Sequence, residues 1–247
     1  MQEKNIEKNT TCEVLWDSPD SFNGGDKKVL SQYITKAVEE PPAWWKELTP
    51  FTNQRKSVSE VINTINDAEL ECLSNGHSPV TSKKCPGIIH HLTHSLLIKS
   101  PCDILIDVTN DSIGWVASSK YMSVSLHHPA QVGKFGKDNF IVKFCIPIHL
   151  TTDLPCQAVY IDPVFYNDNG YRISPGLFPD TFDGTIDINI ITIFPKGTKK
   201  YYIKNGSVLA LLQFDRKIKS VTNVDLSEKY ALSKHNINKN LFISSSK

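Results

Sequence analysis

The sequence predicts a mainly β protein: an antiparallel β-sandwich or barrel with N-terminal helices packed on it. Three observations carry that prediction. Helical spacing of apolar residues marks the chain from about residue 26 to about residue 96. Beyond it the pattern changes to alternation, clearest in "NFIVKFCIPIHL", which places Phe140, Val142, Phe144, Ile146, Ile148 and Leu150 on one face of a strand. Turn signals separate the alternating runs at short intervals, as in sheets built of hairpins.

In chain order, residues 1–25 are polar, end in the loose "FNGGD", and are expected to form a flexible segment. Residues 26–95 make up a helical N-terminal region. Its first helix is expected from Asp26 to Val38, with Val29, Leu30, Tyr33, Ile34, Ala37 and Val38 on one stripe. Asp26 supplies the cap and "EEPP" the stop. In "PPAWWKELTPF", Trp44 and Trp45 follow a proline pair and are expected to pin an extended segment to the body of the protein. Ser57-x-x-Glu60 reads as a capping box opening a helix that runs to Leu73. "CPGIIHHLTHSL" reads as a short helix with Pro86 near its start, where a missing N–H is harmless.

Residues 96–220 are the expected β-rich core. "DILIDV" and "WVASS" flank the turn "TNDSIG" and form a hairpin. "CQAVYIDPVF", "GTIDINIITIF" and "KKYYIKNGSVLALLQF" supply further strands, with Ile186, Ile188 and Ile190 inward and Asp187 and Asn189 opposite. Residues 221–247 read as a short helix, "LSEKYALSKH", and a polar tail.

With 247 residues the chain can bury a substantial core, and 40% hydrophobic against 21% charged residues is the balance of a folded protein. Its 27 Lys and Arg nearly cancel 26 Asp and Glu, so the total carries no sign of nucleic-acid binding. The basic clusters Lys196, Lys199, Lys200, Lys204 and Arg216, Lys217, Lys219 read as solvated strand ends and turns. No apolar run approaches the roughly 20 residues of a membrane helix, and the polar N-terminus lacks the apolar stretch of a signal peptide. Six cysteines, Cys12, Cys72, Cys85, Cys102, Cys145 and Cys156, contain no C-x-x-C pair and are expected as free thiols, Cys145 within the core.

Recognisable chemistry is sparse. His90 and His94 in "HHLTH" have the spacing of a metal pair on a helix, but His91 stands where a zinc protease needs Glu. With His127 and His128 elsewhere, structural or surface histidines are the expected reading, and no metal or cofactor is expected. "HLTTD" offers His149 and Asp153 without the H-x-D spacing of an iron triad. No nucleophile elbow, Walker loop or G-x-G-x-x-G occurs. Asp180 and Asp183 in "SPGLFPDTFDG" could act as paired acids, or simply as turn formers.

Two stretches carry resemblances. "GLFPDTFDGTIDINIITIFPKGTKKYYIKNGSVLALLQF" resembles the closing strands of the dUTPase and dCTP deaminase barrel, with Gly176, Phe178, Asp180, Phe182, Gly184, Gly206, Ala210 and Leu212 at comparable positions. That implies a β-clip-like C-terminal part, with Asp187 near the place of the deaminase's catalytic Glu. The Ser-rich phosphate motif of those enzymes is replaced by a stretch offering only Arg172 and Ser174. Across roughly residues 41–214 the chain is also similar to an uncharacterised family of tailed phages and some bacteria. The shared features are Trp44-Trp45-Lys46, Cys85-Pro86-Gly87, Pro101 with Asp103, and His127 with Gln131.

The absence of recognisable chemistry, together with the resemblance to the phage family, implies a phage-encoded, non-enzymatic protein, a virion structural component or a host-interaction factor, located in the virion or the host cytoplasm. Its expected partners are proteins: further copies of itself, or virion or host proteins, with neither nucleic acid nor membrane involved. One alternative is a divergent nucleotide-processing enzyme using Asp180, Asp183 and Asp187. Another is a sugar or small-ligand binder using the aromatic surface of Trp44, Trp45 and Trp115.

Overall fold

The computed structural model describes residues 11–19, 21–48, 82–117, 119–127, 136–166, 170–178 and 186–226. The helix expected at 57–73, Gln131, Asp180, Asp183, Gly184 and the helix expected after Asp225 lie outside the described residues. The chain runs β1 (Thr11–Asp17), α1 (Gly24–Leu30), β2 (Ile34–Lys36), α2 (Ala43–Glu47), α3 (Pro86–Thr93) and β3 (Ser95–Lys99). The hairpin β4 (Ile104–Val108) and β5 (Ile113–Ala117) follows, then β6 (Ser123–Leu126), β7 (Asn139–Thr152) and β8 (Ala158–Ile161). The remaining strands are β9 (Arg172–Ile173), β10 (Leu177–Phe178), β11 (Ile186–Pro195), β12 (Lys199–Ile203), β13 (Val208–Phe214) and β14 (Lys217–Asn223).

The fold is mainly β, as expected, and among the described residues the strands form three sheets. A six-stranded sheet has the order β14-β1-β7-β11-β9, with β6 also paired to β7. A five-stranded sheet has the order β10-β8-β13-β3-β2, and β12-β4-β5 form a three-stranded sheet. Every pairing is antiparallel except that of β1 with β14.

Side chains from all three sheets meet in one core, including Val14, Trp16, Leu96, Ile98, Ile104, Phe144, Phe194 and Leu212. Phe194 is fully buried and edge-on to Tyr201 with ring centroids 5.0 Å apart, and Tyr171 lies 5.3 Å away. The runs "SLLIK" and "LALL" are buried on both faces. Leu96, Ile98, Ala210 and Leu212 enter the main core, whereas Leu97 and Leu211 join Ala37 and Leu92 in a second cluster. Ile88 of α3 and Trp45 of α2 pack on that second cluster. A continuous apolar strand therefore signals a sheet covered on both sides, here by N-terminal helices.

Several local expectations are corrected. Residues 11–17 are not flexible: β1 lies between β14 and β7, with Cys12, Val14 and Trp16 at most 3% exposed. The first helix ends at Leu30, and Ile34 and Thr35 join β3 instead, because β-branched residues at a sheet edge gain more from pairing than from a further helical turn. Its N-cap is Asn23, not Asp26. Asn23 Oδ1 accepts from the Asp26 amide while Asp26 Oδ2 accepts from the Asn23 amide, closing a capping box. The tryptophan segment is a short helix, not extended. β14 turns the second basic cluster into a strand, with Lys219 paired to Glu13 at 2.9 Å. Gly206 takes the turn between β12 and β13 at φ 80°, which favours glycine.

Candidate functional site: a cleft beside His149 and Asp187

β7 is long enough to take two partners along one edge. Val142 to Cys145 pair with β6, and His149 to Thr152 pair with β1, leaving Ile146, Pro147 and Ile148 between them. Pro147 has no N–H to offer a ladder, so the interruption falls where the sequence demands it. On the other edge the register with β11 jumps between Asp187, opposite His149, and Ile188, opposite Ile146. Two extra residues on β7 therefore bulge at Pro147 and Ile148. The bulge sets Cys145 opposite Asn189 and His149 opposite Asp187, so the two pairs are only two β11 residues apart, about 7 Å of strand rise.

A cleft of about 330 Å³ opens over this interruption. Cys145, Pro147, His149, Asp187 and Asn189 line its strand side, and Pro19, Phe22, Lys120 and Met122 come from the chain after β1 and before β6. Ser123 extends the row, since it stands opposite Cys145 as Cys145 stands opposite Asn189. Cys145 is thus half-buried on the cleft wall and not in the core: its parity is opposite to that of Phe144 and Ile146.

The polar centre is the contact between His149 Nδ1 and Asp187 Oδ1, 2.6 Å apart. The imidazole is buried at 9% exposure while the carboxylate is 47% exposed, so the carboxylate is the member that faces the opening. The carboxylate fixes the ring's orientation. Lys120 of the lining is held by Asp26. Asp26 accepts from Lys120 Nζ at 2.6 Å and Tyr121 Oη at 2.8 Å, and these bonds hold its carboxyl below the ordinary range. The Lys120 ammonium also lies 5.2 Å from the Tyr121 ring centroid.

The other candidates fall elsewhere. Trp44 is exposed on α2, donates from Nε1 to the Phe165 carbonyl at 3.0 Å, and stands 5.8 Å from the Phe165 ring. Trp45 packs on the second apolar cluster, whereas Trp115 on β5 packs on the main core, so the three tryptophans do not share one platform. His127 follows β6, with its amide donating to the Ile141 carbonyl at 2.9 Å. His90 and His94 stack with ring centroids 3.7 Å apart, and His94 Nδ1 lies 2.7 Å from the His90 carbonyl oxygen. Among the described residues, no group of three or more His, Cys, Asp or Glu gathers as a set of metal ligands.

The sequence singled out Asp187 and noticed His149, but not their pairing. Parity alone puts Asp187 on the polar face of β11. The partner depends on a bulge-shifted register between strands 38 residues apart. Comparison with known proteins finds no matching family model, no similar curated protein and no similar solved structure.

Proposed function

We propose that the protein binds a small, hydrogen-bond-donating molecule in the cleft beside His149 and Asp187. The observation that carries this reading is the half-exposed Asp187 carboxylate, oriented by a buried imidazole at the wall of a cavity. A charge-bearing acceptor fixed at 2.6 Å by a second group is preorganised, and preorganisation lowers the ordering cost of binding. Asn189 and Ser123 add amide and hydroxyl groups, and Phe22, Ile146 and Pro147 supply an apolar floor. The volume lies at the lower end of the roughly 300–1,000 Å³ of small-molecule sites. A ligand with an amine or amide head and a short apolar body fits this chemistry.

A thermal-shift screen of small amines, amides, sugars and nucleotides tests the reading. A specific ligand at about 100 times its dissociation constant adds about 2.7 kcal/mol of stability. That shift is expected for the wild type and is expected to vanish in Asp187→Asn. A ligand that shifts both proteins equally would place binding elsewhere. Release of phosphate or ammonia from a nucleotide, lost in Asp187→Asn, would favour the nucleotide-processing alternative.

A second reading, contact with another protein in a phage particle or host cell, is favoured by one surface. Tyr202, Leu105 and Val116 stand opposite one another across the three-stranded sheet and are 57%, 42% and 68% exposed. An exposed apolar row on a solvent-facing sheet is a contact site more often than an accident. Mass spectrometry of purified phage particles, and cross-linking in wild type against Leu105→Lys, distinguish it from the ligand reading.

A further inference from the structure

We propose that Cys12 and Cys156 are an oxidation site, a thiol pair that closes to a disulfide by exchange with a small disulfide such as oxidised glutathione. Cys12 lies on β1 and Cys156 in the connection from β7 to β8. The pairing of β1 with β7 carries that connection past Cys12: the Glu13 amide donates to Asp153 Oδ1 at 2.7 Å, and the Asp153 amide donates to the Glu13 carbonyl at 3.2 Å. Within the connection Asp153, Leu154, Pro155 and Gln157 are exposed, and only Cys156 turns inward. It is 2% exposed and Cys12 is 0% exposed. Both are thiols in this structure, and the Cys12 thiol donates a hydrogen bond to the Cys156 sulfur, so the two sulfurs are already in contact.

The surroundings divide the roles. The hydrogen bond from Cys12 holds the Cys156 thiol below its ordinary value against the effect of burial. The Thr152 side chain and the Arg216 charge act in the same direction. Arg216 is anchored by its Nε–H donating to the Pro155 carbonyl at 2.9 Å. Cys12, the donor and the more deeply buried, is pushed well above the ordinary thiol range. Cys156 is therefore the attacking sulfur and Cys12 the resolving one.

The exchange balances in two steps. The Cys156 thiolate attacks one sulfur of the small disulfide, forms a mixed disulfide and releases one small thiolate. Cys12 gives up its proton and attacks the Cys156 sulfur, closing the protein disulfide and releasing the second small thiolate. Two protein thiols are oxidised by two electrons, and one small disulfide is reduced to two thiols. The exchange requires local opening of the 153–157 connection, which uncovers Cys156.

The experiment equilibrates the full chain with oxidised and reduced glutathione over a range of ratios, blocks the remaining thiols, and maps the digested protein by mass spectrometry. The expected product is two hydrogens lighter and contains a Cys12–Cys156 cross-linked peptide, with Cys72, Cys85, Cys102 and Cys145 still alkylated. Cys12→Ser is expected to stop at a glutathione adduct on Cys156, and Cys156→Ser to give neither adduct nor cross-link at Cys12. Persistence of both thiols at the oxidising limit in the wild-type protein would overturn the proposal, as would a dominant linkage through Cys72, Cys85, Cys102 or Cys145. The wild-type map decides the matter even if a variant fails to fold.

Discussion

Asp17 ends β1 as a buried carboxylate. Burial alone would raise its carboxyl, but the amides of Leu226 and Ser18 and the Lys27 ammonium together outweigh it and hold the group below its ordinary value. Those partners lie at 2.9, 2.8 and 2.6 Å. A carboxyl whose folded-state pKa lies below its unfolded value adds stability above the unfolded value, near pH 4, and loses it as pH falls through the folded value. Asp17→Asn is therefore expected to cost about 2 kcal/mol in urea unfolding at pH 7, the scale of charge-assisted hydrogen bonds. The gap from wild type should narrow as pH falls below about 4 and through the folded-state value. A gap that stays equal across that range would show that the charge is not what Asp17 contributes. Its position was hidden in the sequence, because three of its partners are a remote amide, a neighbour and a helix lysine that only the folded chain brings together.

The strands were read best where both faces differ. β7 alternates from Val142 to Ile148, and the hairpin of β4 and β5 announces itself by its turn, where Thr109 and Ser112 hydrogen-bond as expected of such residues. β1 carries the same signal in Cys12, Val14 and Trp16, but a short run inside a polar N-terminus reads as loop until β7 and β14 supply its partners. The opposite failure occurred after Leu30, where helical spacing continued into a strand because pairing with β3 overrode it. The cleft was least legible, since it depends on a bulge and on two strands sharing one edge of β7.

At the same scale, α3 carries a pH dependence. Burial is the chief cause that holds His91 and His94 below the ordinary histidine value. Such groups bind fewer protons folded than unfolded, so their stabilising effect is present above about pH 6.5 and is lost as pH falls through their folded values. Hydrogen exchange is expected to show protection falling in α3 between pH 7.5 and 5, after correction for the intrinsic rate, while the centre of β7 holds. A parallel loss in both would assign the change to the whole fold.

Over the whole molecule, the N-terminal strand belongs to the core rather than preceding it. Deleting residues 1–17 removes Cys12, Val14 and Trp16, takes from β14 the strand it pairs with, and bares one edge of β7 from His149 to Thr152. Burial of large apolar side chains contributes roughly 1.5–3 kcal/mol each, so the loss approaches the roughly 5–15 kcal/mol that holds a domain together. Calorimetry of the truncated chain is expected to show no cooperative transition. A transition within a few degrees of the full chain would show that the fold does not depend on β1.

The most direct measurement on the cleft is crystallographic soaking with a few hundred polar fragments. The account predicts amine- or amide-bearing fragments within hydrogen-bonding distance of Asp187 and resting on Phe22 and Pro147. Fragments that bind at other surfaces and leave this cleft empty would contradict it.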